Sequence, residues 1–131
     1  MFARPLFAGF LLAALTVTAS TAAVADCPMQ KVEINGRVLS KDQPVANALV
    51  LIRWDEQRTR DVSAEARTDA EGNFQLALSI DSFDGRTLLA KEKCGYSPEE
   101  VNIEVHHPDH RKFQRSYEMA DLSEQLVIEV R

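Results

Sequence analysis

Clustered basic residues, long apolar runs and helical stripes are what this sequence lacks. Fifteen basic against 20 acidic side chains leave its 131 residues at a net charge of −5, and no stretch combines basic with aromatic residues. A phosphate backbone is gripped by clustered Lys and Arg, so the pattern excludes DNA and RNA as partners. Glycine and proline stand at five each, too few for a collagen-like repeat, and 45% apolar residues exclude a wholly disordered chain. The length suits one compact domain and excludes a multidomain enzyme. After residue 25 no segment carries apolar residues at helical spacing.

Residues 1–25 stand apart. One cation, Arg4, precedes an apolar stretch from Leu6 to Val17, and small residues close it at Ala23-Val24-Ala25. That is the layout of a secretory signal peptide, with the cut expected before Asp26. Thr16, Thr18, Ser20 and Thr21 break the run short of the ~20 residues of a bilayer span, so no stable membrane span is expected after cleavage. Asp26 occupies the position where lipidation of Cys27 would want a small residue. Removing 25 of the 131 residues leaves 106, and loss of Arg4 brings the net charge to −6.

Cysteine is scarce, with Cys27 and Cys94 alone. In an exported chain the two are expected to pair, against the alternatives of free thiols or a thiol-only metal site, which two sulfurs cannot complete. The loop they would close is worth about 4 kcal/mol in the chain-entropy treatment.

The dominant period of the remaining chain is two. Val32, Ile34, Gly36 and Val38 alternate with polar neighbours, and so do Val62, Ala64, Ala66 and Thr68; Phe74, Leu76, Leu78 and Ile80; and Val101, Ile103 and Val105. Further strands are expected over Ala46 to Trp54, Thr87 to Cys94, Phe113 to Met119 and Leu126 to Val130. The four successive apolar residues Leu49 to Ile52 predict a strand buried on both sides. Pro44 sets a turn. Asp69 is placed to accept backbone N–H bonds from the turn that Gly72 closes at positive φ, and Phe74 is expected to plug the end of the core. Seven or eight short strands with turn signals between them predict an all-β, antiparallel Greek-key β-sandwich.

The stretches Gly36-Arg37-Val38, Gln43 to Val50 and Thr68 to Phe74, with the final strand Leu126 to Val130, resemble the carboxypeptidase regulatory-like domain family. The resemblance implies a transthyretin-like fold over residues 26–131. It also implies a noncatalytic module, found beside enzymes or envelope receptors or exported alone. His107-Pro108-Asp109-His110 stands where many members carry a Pro-Gly-Tyr loop.

Three functions follow for testing. The first is an exported noncatalytic module, periplasmic or secreted, that needs no cofactor and binds a protein or envelope component through its loops. Its contact surface would be Trp54, Asp55, Glu56, Arg58 and Arg60, although for Trp54 a role as a core cap is the favoured reading. The second is periplasmic metal binding by His106, His107, Asp109 and His110, since imidazole and carboxylate suit copper, zinc or nickel. The third is a hydrolase like the transthyretin-related enzyme that opens 5-hydroxyisourate. That family ends in Tyr-Arg-Gly-Ser, whereas Ile128-Glu129-Val130-Arg131 ends here. Neither Ser97 nor Ser116 is paired by sequence with a positioned base, so no catalytic residue is expected.

Overall fold

A computed structural model describes residues 27–85 and 93–131. The signal peptide and its cut before Asp26 lie outside the described residues, as does most of the strand expected from Thr87. Among the described residues ten strands follow in order: β1 (Met29–Ser40), β2 (Gln43–Pro44), β3 (Leu49–Trp54), β4 (Val62–Arg67), β5 (Asn73–Asp81), β6 (Phe83–Asp84), β7 (Lys93–Cys94), β8 (Glu100–His106), β9 (Phe113–Glu118) and β10 (Leu126–Glu129). A 3-10 helix, Met119–Ser123, separates the last two, close to the one turn of helix that Asp121 to Gln125 could form.

Two sheets face each other. In the first, β1 is flanked by β5 and β2 on antiparallel ladders and by β10. In the second the order is β4-β3-β8-β9, antiparallel throughout. The period-two residues fill the space between them: Ile34 and Val38 from β1, Leu76, Leu78 and Ile80 from β5, and Ile103 and Val105 from β8 are all buried. A β-sandwich stands on this alternation, because each strand has one dry and one wet face.

Three details depart from the sequence reading. First, β10 runs parallel to β1, with Gly36 opposite Leu126 and Leu39 opposite Glu129. The 3-10 helix buries Leu122 and carries the chain from one sheet to the other, so the last strand enters beside Gly36 in the same direction as β1. Second, β3 begins at Leu49 rather than Ala46, because Asn47 takes a left-handed φ of 58° that no strand accommodates. Third, β3 is dry on one side only. Val50, Ile52 and Trp54 point inward, while Leu49 and Leu51 are half-buried on the outer face. There Leu49 sits between Arg67 and His106, and Leu51 between Glu65 and Glu104. Neighbouring polar side chains, not another layer of protein, shield these two leucines.

Pro44 lies in β2, paired with Leu39, and the turn expected of it falls just before, where Lys41 and Asp42 take positive φ; the turn before β5 is built by Asp69 and Gly72. One Asp69 carboxylate oxygen accepts the N–H groups of Glu71 and Asn73, at 3.0 and 2.9 Å. Gly72 adopts φ +78°, and a Cβ there would lie 2.5 Å from the Val38 carbonyl oxygen. That oxygen accepts the Val45 N–H at 3.0 Å, next to Pro44 of β2, while the Val38 N–H donates to the Gly72 carbonyl at 2.8 Å. Thr68, buried, donates its hydroxyl to the Val45 carbonyl and accepts the Ala48 N–H. Phe74 pairs across the ladder with Gly36, and its ring lies where any larger residue at Gly36 would put its Cβ.

Cys27 and Cys94 form a disulfide, Cα atoms 5.4 Å apart across a separation of 67 residues. Cys94 lies on the small β6–β7 ribbon, opposite Phe83, so the bridge ties the start of β1 to that ribbon. Among the described residues no helix is long and apolar enough to cross a membrane. Replacing Gly72 with Ala should cost about 1–3 kcal/mol in urea unfolding, because the left-handed φ and the close Val38 oxygen act together. A change within error would mean that the turn relaxes freely.

Candidate functional site

Strand β8 sends Val101, Ile103 and Val105 into the core and Asn102, Glu104 and His106 to the outer face of the second sheet. A carboxylate on the open side of a sheet is ordinarily solvated. Glu104 is not: it is 5% exposed. Leu51 lies opposite it on β3 and Gln114 on β9. His106 Nε2 lies 3.0 Å from Glu104 Oε2, and Lys112 Nζ lies 3.5 Å from Oε1. The hydrogen bond from His106 is the main force holding the Glu104 carboxyl below its ordinary 4.5, with Lys112 and Arg53 adding positive charge against the opposing effect of burial. An ionised carboxylate only accepts, so His106 carries its hydrogen on Nε2.

Two hollows flank this group. One, about 360 Å³, is bordered by Arg53, Asp55, Asp61, Glu100 and Glu104. The other, about 450 Å³, is bordered by Arg67, His106, His107, His110 and Lys112, with Leu49 and Pro108. Acidic groups therefore gather at one end of the face and basic groups at the other.

The histidine loop is not assembled as a metal centre. Among the described residues no three His, Cys, Asp or Glu side chains are placed to hold one ion. His106 is committed to Glu104. His107 Nδ1 accepts the Asp109 N–H at 3.1 Å, so ligation at that nitrogen would break the turn, and the neutral ring keeps its hydrogen on Nε2. The His107 and His110 ring centroids are 5.0 Å apart, but the Asp109 side chain is exposed and shares no site with them.

The loop from Asp55 to Arg60 also differs from expectation. Trp54 is buried in the core, the capping role weighed for it, and its indole N–H donates to Glu56 Oε1 at 3.1 Å. The same oxygen accepts the Asp81 N–H at 3.0 Å, so Glu56 is buried as an internal acceptor rather than offered to a partner. Arg58 lies over the Phe83 ring, 4.1 Å from its centroid, and faces Asp81 Oδ2 at 3.7 Å. Asp55 accepts the Asp61 N–H through its side chain and the Tyr96 hydroxyl through its carbonyl. Only Arg60 of the five expected contact residues is exposed without a tie to the body among the contacts described.

Sequence reasoning missed Glu104, Lys112 and Arg67 as one group. The usable signal was the outward pair Leu49 and Leu51: an apolar outer face on a central strand shields whatever polar residue stands beside it.

Two outcomes test these assignments. Glu56→Ala should lose about 1–3 kcal/mol because it strands two buried N–H groups, whereas Glu56→Gln, which keeps an acceptor, should lose much less. For Glu104 the depressed pKa means stability that is fully present above 4.5 and is lost as pH falls through the lower value of the folded chain. The melting temperature of Glu104→Gln should therefore sit below that of the unaltered chain near about pH 6, and the gap should narrow as the pH falls below 4.5. A gap that kept the same size across that range would refute the assignment.

Comparison with known proteins adds a family. No curated protein matches the chain. Among solved structures it is similar to the crystal structure of hydroxyquinol 1,2-dioxygenase from Pseudomonas putida DLL-E4, at 15% identity and a TM-score of 0.47. The match covers 73% of this chain and 40% of that one, so the chain spans less than half the length of that enzyme. A family model described as "Domain of unknown function (DUF6795)" matches residues 34–126, from the middle of β1 to the start of β10. That range holds the whole β4-β3-β8-β9 sheet and every residue of the Glu104 group, and the chain belongs to the DUF6795 family.

Proposed function

We propose that this chain is an exported, noncatalytic β-sandwich module of carboxypeptidase regulatory-like, transthyretin-like type. It binds a protein or envelope component on the outer face of the β4-β3-β8-β9 sheet. The observation that carries this reading is Glu104, an ionised carboxylate kept dry on the solvent side of a sheet by His106 and Lys112. Burying a charge there is costly, and a freely solvated surface has no use for it. What the arrangement provides is a face whose polar side chains are ordered before any partner arrives, which lowers the entropy cost of binding. Asn102 and Gln114, bonded to each other at 3.4 Å, extend the ordered patch.

The Cys27–Cys94 bridge supports export, because such links persist in oxidising compartments. The loop Asp55 to Arg60 becomes a margin of the binding face rather than its centre, since Asp55 borders the acidic hollow while Glu56 and Trp54 are turned inward.

A photo-crosslinking amino acid at Gln114 or Ser63, both exposed on the outer face of the second sheet, should yield a discrete adduct in cells. The same probe at Gln75, exposed on the first sheet, should yield none. Equal adducts at all three positions, or none at any, would overturn the reading.

A further inference from the structure

We infer that the basic hollow at the His106 end of the outer face is a binding site for a phosphate-type oxyanion. The inference rests on the reading of that face as a binding surface and names the ligand chemistry of one end of it. Positive groups are the minority in a chain of net charge −5. Yet the charged and titratable side chains bordering this hollow are Arg67, Lys112 and the three histidines, with no carboxylate among them.

One carboxylate acts on two of these side chains. Glu104, which borders the other hollow, is 5% exposed, with one oxygen against His106 and the other against Lys112. It is too buried to compete with a ligand for the open side; it takes the His106 N–H for itself and orients Lys112, whose remaining N–H groups stay available. Arg67 is oriented in turn by its Nη1 bond to the Asn47 carbonyl at 3.4 Å, which leaves the rest of a planar five-donor fork available. The Asn47 turn that supplies this carbonyl also borders the hollow.

The remaining border is apolar, from Leu49 and Pro108. Apolar walls strengthen charge-assisted hydrogen bonds by keeping water away. A volume of about 450 Å³ exceeds what a bare phosphate needs and leaves space for the group that carries it. Two fixed cations with imidazole donors around them match a multiply charged tetrahedral anion better than a single carboxylate. The free ion and a phosphate monoester share this chemistry.

Titration of the disulfide-bonded protein with inorganic phosphate and, separately, with glycerol 3-phosphate tests the site, followed through the His ring proton resonances at constant ionic strength. Saturable shifts of the His106, His107 and His110 rings are expected, and Arg67→Gln should weaken binding about tenfold or more. Lys31→Gln, on the exposed face of the other sheet, should leave it unchanged. Tighter binding of the ester would assign the site to a phosphorylated ligand, and equal or tighter binding of inorganic phosphate to the free ion. Shifts reproduced by chloride, no saturation into the tens of millimolar, or equal binding by Arg67→Gln would overturn the inference. Crosslinking at Gln114 or Ser63 that persists in the face of such a result would leave the partner-binding reading standing and remove only the anion site.

Discussion

The register between β1 and β5 is the constraint on which the molecule depends. Nine residue pairs, from Met29 opposite Asp81 to Arg37 opposite Asn73, put Ile34, Leu76, Leu78 and Ile80 on the dry side together. A slip of one residue would turn all of them to water. The turn that leads into β5 is closed by Asp69 and Gly72, and it is tied to β1 through Val38, whose N–H bonds the Gly72 carbonyl and whose C=O accepts the Val45 N–H. Thr68 then fastens the β2–β3 connection to the same point. Three short sequence segments far apart along the chain are thus one hydrogen-bonded knot at the end of the sandwich.

That knot explains why so much of the fold was legible. The Asp69 carboxylate acts on N–H groups two and four residues away, and Gly72 answers a local steric demand, so both could be read without knowing the partner strands. The alternation in Phe74 to Ile80 and in Val101 to Val105 was legible because one side of each strand is dry and the other wet. The apolar run Leu49 to Ile52 misled for the complementary reason: periodicity reports polarity, not which layer supplies the cover. Nothing in the period of Leu126 to Val130 distinguishes a parallel from an antiparallel neighbour, since both keep the same side chains inward.

The candidate site was less legible because its partners are distant in sequence. Glu56 is a surface residue by type, and its burial depends on Trp54 beside it and on a backbone N–H 25 residues later. Glu104 looks like any outward residue until the pairing of β8 with β3 and β9 sets it beside Leu51 and Gln114 and the loop brings Lys112 across. The histidines drew attention as ligands, whereas the fold uses two of them as hydrogen-bonding partners. Charge then sorts along the sheet, acidic toward Glu100 and basic toward His106, giving one face of an acidic protein a polarity that its composition conceals.

The parallel pairing of β10 with β1 has a mechanical consequence. The chain enters this pair at the start of one strand and leaves it at the end of the other, so a pull on the two ends slides the strands along each other. All the bonds between Gly36–Leu39 and Leu126–Glu129 are then loaded in shear at once, instead of parting in sequence as a zipper does. A domain strung between two anchored neighbours would meet tension with its most resistant geometry.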